Sequence, residues 1–282
     1  MANKKRIFIG GLALMVVWVS MGGIKIASAV SAREVGSTFF YDFRVNGTLE
    51  EAWPMDSSSS PYFWLNSGAY MTLKDGVGRT VLGELPSSNK WRLLYAASNP
   101  LDMDNGYHPQ NLFRLVTRSK WQNFRQEGYF QIKKDNLSAS PNRNQSNGIL
   151  FFNRYTGDGQ TLYYTGVRVD GAAVVKKKIN GKYFTMASKK ILNGTYNSSS
   201  NPNLMPKDTW IGLRSEVKNL AGGKVSIKLF TDVGKTGKWT LALDVIDDGS
   251  SYGGAAITQE AYAGIRTDFM DVIFDDYRLT KF

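Results

Sequence analysis

The chain has 282 residues, with 35 Lys and Arg against 24 Asp and Glu for a net charge of +11, and no cysteine. Disulfide scaffolds, thiolate zinc sites, cysteine nucleophiles and iron–sulfur centres are therefore excluded, and with a single histidine, His108, so is a multi-histidine metal centre. A hydrophobic share of 42% with 13% aromatics supports a sizeable core, so the chain folds rather than remaining disordered.

At the N-terminus, Lys4, Lys5 and Arg6 precede eighteen uncharged residues, Ile7 to Ile24. Lys25 and two small-residue patterns follow, Ala27-Ser28-Ala29 and Val30-Ser31-Ala32. This is the order of a cleaved signal peptide, expected over residues 1-29. The alternative is an uncleaved signal anchor, because eighteen apolar residues stand near the lower limit for a membrane span; a membrane association follows only in that case. Cleavage would remove Lys4, Lys5, Arg6 and Lys25 and no acid, taking the net charge from +11 to +7 and leaving the exported part basic. Export without disulfides points to a secreted or cell-surface protein of bacterial type. On that reading the Asn-x-Ser/Thr patterns at Asn46, Asn136, Asn144, Asn193 and Asn197 are composition, not glycan acceptors.

Beyond the leader no segment keeps a helical apolar period over three turns, whereas short runs rich in Val, Ile, Tyr, Phe, Trp and Thr alternate with Gly, Asn, Asp and Ser clusters. Strands are expected at Phe39 to Val45, Trp91 to Tyr95, Phe113 to Arg118, Gly128 to Lys133 and Gly148 to Tyr155. A three-strand meander follows over Leu162 to Ala187, turning at Asp170-Gly171 and Asn180-Gly181, each suited to a two-residue type I′ turn. Further strands are expected at Trp210 to Val217, Lys224 to Thr231, Trp239 to Val245 and Val272 to Thr280. So many strands require two packed sheets. The Ser/Asn-rich pieces at Ser57 to Ser60, Ser138 to Asn147 and Tyr196 to Asn203 are loops too short to divide domains, so residues 33-282 are expected to form one all-β sandwich.

From Gly148 onward the order of signals resembles the concanavalin A-like jelly-roll superfamily of laminin-G-like domains, lectin-like sandwiches and polysaccharide-degrading enzymes. The matching pieces are Arg168-Val169-Asp170-Gly171, the lysine-bearing run Val174 to Ile179, Asn180-Gly181-Lys182, WIGLRSEV, GGKVSIKLF, the acidic turn Asp247-Asp248, AGIRTD and DVIFDDYRLT. At the front, YDFRVNGTLEEAW is similar to the superfamily's opening strand, which pairs beside the last one. The resemblance implies a two-sheet antiparallel jelly roll. It is specific for architecture and weak for function, because this fold hosts lectins, hydrolases and lyases alike. Trp64 to Asn147 matches none of its pieces.

The superfamily's hydrolases carry Glu-x-Asp-x-x-Glu on one strand. None of Glu34, Glu50, Glu51, Glu84, Glu127, Glu216 and Glu260 has that spacing, which argues against such a mechanism. Its lyases need instead a cation to neutralise a uronate carboxylate and a Tyr, His or Lys to move the α-proton. On strand alternation, Asn153 and Tyr155 share a face, as do Tyr164, Arg168 and Asp170, Lys176 and Lys178, and Arg114 and Arg118. If those faces converge they form a basic, tyrosine-bearing groove for an acidic polysaccharide, with Tyr164 and Arg168 as candidate catalytic residues; otherwise the tyrosines cap the core rim and the lysines are solvated. His108, in GYHPQN, reads as a loop residue. Asp102-Met103-Asp104-Asn105-Gly106 places oxygen ligands in a turn, which leaves room for a structural calcium although the EF-hand spacing is missing. No other cofactor is indicated. Among the tryptophans, Trp64 in SPYFWLNSG is the candidate for exposure and sugar stacking.

The expected function is an exported carbohydrate-recognition domain for an acidic polysaccharide, with a polysaccharide lyase acting by β-elimination as the alternative. Whether the protein is an enzyme stays open at this point. Nucleic-acid binding would also use the positive charge, but an exported chain seldom meets a specific nucleic acid, and no such partner is expected.

Overall fold

A computed structural model describes residues 32–282, and the signal segment expected at residues 1-29 lies outside them. In chain order the strands are β1 (Ala32–Val35), β2 (Thr38–Tyr41), β3 (Gly47–Glu50), β4 (Phe63–Ser67), β5 (Tyr70–Lys74) and β6 (Val77–Arg79). The helix α1 (Lys90–Ser98) follows, then β7 (Leu112–Trp121), β8 (Phe124–Asp135), β9 (Gly148–Tyr155), β10 (Leu162–Arg168), β11 (Ala172–Ile179) and β12 (Lys182–Lys190). The chain closes with β13 (Trp210–Asn219), β14 (Val225–Val233), β15 (Thr240–Asp247), β16 (Ala261–Asp268) and β17 (Met270–Lys281).

These strands make two antiparallel sheets. One runs β15-β14-β13-β8-β17, with β17 flanked on its far side by β2 and β6, and β6-β5-β3 continuing from there. The other runs β12-β11-β10-β9-β16-β7-β4. Strand β2 lies beside closing strand β17, pairing Tyr41 with Tyr277; of the segment YDFRVNGTLEEAW only Tyr41 belongs to it, and that segment's own strand, β3, pairs with β5. The architecture is the expected jelly-roll sandwich.

Alternation decides what each strand buries. From the seven-stranded sheet, Phe63, Leu65, Phe113, Leu115, Ile149, Phe151, Tyr163, Val167, Ala173 and Val175 point into the space between the sheets. They meet Phe130, Ile132, Leu213, Ile227, Leu229, Val272 and Phe274 of the other sheet. The intervening residues Trp64, Val116, Leu150, Phe152, Leu162, Tyr164 and Val174 form a second apolar layer on the outer face of the seven-stranded sheet. Both faces of this sheet are therefore covered, which explains why Gly148–Tyr155 is buried at every position.

Three expectations need correction. Trp91 to Tyr95 is helical, not extended: Asn89 caps α1 by accepting from Trp91 N at 2.9 Å, and the run WRLLYAA has no β-branched residue to oppose a helix. The Asp170-Gly171 turn is not a two-residue type I′ turn. Gly171 N donates to Arg168 O at 2.9 Å and only Gly171 has positive φ, so the connection is a three-residue loop ending on a left-handed glycine. Asn180-Gly181 does form the type I′ geometry, with φ of 50° and 79° between the paired Ile179 and Lys182. Trp64 is 1% exposed, held by its Nε1 donating to Ala52 O at 2.7 Å, whereas Trp53, tilted against it at 5.4 Å, is 75% exposed.

One polar cluster crosses the core. Lys177 Nζ lies 2.8 Å from Asp247 Oδ2 and donates to Gly254 O and Ala255 O, and all of its side chain is buried. Tyr163 donates to the same carboxylate at 2.6 Å and accepts from Ile257 N. A carboxylate and a cation from opposite sheets thus anchor the connection between β15 and β16, and each buried polar atom in the cluster has a partner.

Candidate functional site

Charged and phenolic side chains gather on the outer face of the seven-stranded sheet in a pocket of about 430 Å³. Its floor comes from strands adjacent in the sheet but scattered in sequence: Leu150 from β9, Tyr164 from β10, Lys176 from β11, Tyr183 from β12, and Arg266 and Asp268 from β16. Its walls are Asp102, Asn111, Asn142, Asn144, Ser146 and Asn147, from the segments between α1 and β7 and between β8 and β9.

Register sets the floor. Tyr164 pairs with Phe152 on one side and Lys176 on the other, while Arg266 pairs with Leu150 and Arg114. Arg266 Nε donates to Asp268 Oδ1 at 2.7 Å, and its Nη1 donates to the Tyr164 hydroxyl at 3.2 Å. The Tyr183 ring stacks 5.9 Å from that of Tyr164 and carries Lys178 Nζ at 5.0 Å from its centroid. These neighbours split the two phenols. Burial raises the Tyr164 phenol well above the ordinary range, against the pull of Arg266. Burial also acts to raise Tyr183, but Arg266, the hydrogen bond with Tyr164, and Lys178 outweigh it and leave its phenol below the usual value. Burial and the neighbouring positive charges of Arg168 and Arg266 lower the Lys176 ammonium. Two titratable groups of one kind with pKa values pushed apart are a recognised mark of a working site.

The candidates read from sequence separate cleanly. Tyr164 and Lys176 are in the pocket. Arg114 stands in register beside Arg266, with its Nε unpartnered, but does not line the pocket. Lys178 lies beside Tyr183 at the rim and donates to Gly159 O at 2.8 Å. Arg168 does share a face with Asp170, but the two are ion-paired, and Arg168 Nε donates to Gln145 O; the arginine that reaches Tyr164 is Arg266. Arg118 serves the opposite end of β7, donating to Ser60 O and pairing with Asp56. Asn153 is excluded from the outer face. Arg154 takes a left-handed φ of 56°, which breaks the alternation, so Tyr155 stacks on Phe152 outside while Asn153 bonds Gln126, Ser215 and Thr165 inside.

In the turn considered for calcium, the carboxylates are occupied by hydrogen bonds. Asp102 accepts from Asn142 and Ser140, and Asp104 accepts from His108 Nδ1 and Asn111 Nδ2. Their carboxylates are engaged with different donors, and no group of three or more His, Cys, Asp or Glu side chains among the described residues could hold a metal. His108 is held in that same loop.

Sequence reasoning missed Arg266, Asp268, Tyr183 and the amide-rich wall. Alternation within AGIRTD places Arg266 and Asp268 on one face, and Tyr183 follows the Asn180-Gly181 turn, so both carried a local signal. No local signal placed Asn111.

No protein-family model and no curated protein matches this sequence. Among solved structures the chain is similar to the carbohydrate binding module CBM66 from Bacillus subtilis, at 13% identity and a TM-score of 0.41 over 60% of this chain and 82% of that one. It is similar to a protein of unknown function with a galectin-like fold from Bacillus subtilis, at 12% identity and a TM-score of 0.43 over 78% and 89%. It is also similar to the Bacillus licheniformis β-glucanase, at 11% identity and a TM-score of 0.44 over 88% and 100%. These are remote likenesses of chain path, and the site is defined by this chain's own residues.

Proposed function

We propose that the protein is an exported carbohydrate-recognition domain that binds an acidic polysaccharide in the pocket on the outer face of its seven-stranded sheet. The observation that carries this reading is the pocket floor, where Arg266 and Lys176 present cations beside the phenols of Tyr164 and Tyr183. Arg266 has Asp268 as its carboxylate partner, and Lys176 has none within ion-pairing distance among the described residues. A uronate carboxylate would take the charge of Lys176 and the outer edge of Arg266, and the rings would lie against the sugar.

A second reading is favoured by the lowered Tyr183 phenol. In a polysaccharide lyase, Arg266 and Lys176 would neutralise the uronate carboxylate while Tyr183 removes the proton from the carbon bearing it. The glycosidic C–O bond β to that carbon would then break, with the departing oxygen regaining a proton.

Titration of the protein with alginate, pectate, glucuronan and a neutral β-glucan tests both. Lys176→Met should weaken uronan binding about tenfold or more at low salt and leave any glucan binding unchanged. Equal affinity of wild type and variant across the uronans would remove the site from consideration. Absorbance of an unsaturated uronate product that appears with wild type and vanishes in Tyr183→Phe would establish the lyase, and its absence with wild type leaves a binder.

A further inference from the structure

The pocket wall has the opposite hydrogen-bonding character to the floor. Asn111 is 1% exposed, and its Nδ2 donates to Asp102 O and to Asp104 Oδ2, both at 2.8 Å. Those two acceptors set the orientation of the amide, so Oδ1 is the atom left over, and it is buried with no partner. An unpartnered buried acceptor is costly unless a ligand supplies a donor. Asp102 lines the same pocket, its carboxylate held by Asn142 Nδ2 at 3.0 and 3.1 Å and by the Ser140 hydroxyl. Asn142 and Asn144 direct their amide nitrogens back into the wall, to Asp102 and to Asn142 O respectively. Asp268, on the floor, is 2% exposed and its carboxylate is taken up by Arg266.

We infer that the pocket accepts a uronate bearing free hydroxyls and rejects a sulfated one. This rests on the acidic-glycan reading and narrows it. The carboxylate of the sugar meets Lys176 and Arg266 on the floor, and its hydroxyls donate to Asn111 Oδ1 and to Asp102 on the wall. A sulfate ester in place of such a hydroxyl has acceptor oxygens and negative charge but no proton to donate. It leaves Asn111 Oδ1 unsatisfied and faces the charge of Asp102. Basic proteins that bind glycans by charge alone respond the other way, since sulfate adds charge and raises affinity.

Two matched polymer pairs test this: glucuronan against chemically sulfated glucuronan, and alginate against chemically sulfated alginate, titrated calorimetrically at one salt concentration. Wild type should bind the unsulfated member of a pair about tenfold or more tightly, despite its lower charge, because one like-charge contact and one lost hydrogen bond separate the two. Asp102→Asn keeps an acceptor for Asn142 and removes the charge, and should narrow that ratio to about threefold or less, chiefly by strengthening the sulfated member. Sulfated members that bind wild type as tightly as their partners overturn the inference while leaving the acidic-glycan reading intact. So does an Asp102→Asn variant that is folded by circular dichroism and keeps the wild-type ratio. Wild type that binds none of the four polymers refutes both readings together.

Discussion

Lys177 shows how strongly a single residue can depend on its partner. Its ammonium and the Asp247 carboxylate are both fully buried, and each is satisfied by further hydrogen bonds. Replacing one member strands the other in a medium of low dielectric. Lys177→Met is expected to cost about 3–5 kcal/mol, whereas Lys177→Met combined with Asp247→Leu should cost clearly less, because no charge is left unpaired. Urea midpoints for the two variants decide it, and a double variant as unstable as the single one would contradict this account. The neighbouring residues Lys176 and Lys178 face outward and have other tasks. Three consecutive lysines on one strand thus have unlike roles, assigned by the side of the sheet each one faces.

At the level of elements, the turns on either side of β11 look alike in sequence and differ in geometry. Both Gly171 and Gly181 have positive φ, near 78° and 79°, so a side chain at either strains the backbone. A Cβ at Gly171 would come within 2.9 Å of the backbone Leu192 O, while at Gly181 it would meet only the flexible end of Gln160, at 2.8 Å. Gly181→Val should therefore destabilise the sandwich by about 1 kcal/mol, and Gly171→Val by more. Denaturant midpoints that are equal, or in the reverse order, would refute this ranking. The same region shows which parts of the fold were readable. β9 to β12 were visible because turn residues punctuate long runs of β-formers. β3 to β6 were not, since strands of three to five residues carry too few positions for a period to show. The aromatic residues of α1 suggested a strand, and the cap at Asn89 with a run free of β-branching made it a helix.

For the whole molecule, the buried tyrosines set the response to alkali. Burial raises the phenols of Tyr95, Tyr163 and Tyr277 well above 10.0, with Glu51 adding to the effect at Tyr95 and Asp247 at Tyr163. A group whose folded pKa lies above its unfolded value contributes stability that is complete below the unfolded value and lost as pH rises through the folded one. Stability should hold up to about pH 10 and fall steadily above it, as phenols that ionise freely in the unfolded chain stay protonated in the folded one. The check is a series of urea midpoints against pH, with phenolate absorbance followed in parallel. Buried tyrosines that titrate near 10.0 without unfolding would count against it. Tyr183 behaves differently, and an early phenolate signal that disappears in Tyr183→Phe would identify it.

The order of residues by itself determined the all-β class, the export signal as an expectation, the position of most of the longer strands, and which side chains share a face where a strand runs without a bulge. These are local matters of turn chemistry and period-two alternation. It also brought Tyr164 and Lys176 into view. The pocket was decided only by tertiary structure, because sheet order β16-β9-β10-β11-β12 places Arg266 and Asp268 beside residues about a hundred positions earlier. One left-handed residue, Arg154, turned Tyr155 to the outer face beside Phe152 and so parted it from Asn153, which keeps its inward place in the alternation. The acceptor wall at Asn111 has its character from hydrogen bonds closed across separate loops, and no run of neighbouring residues specifies those.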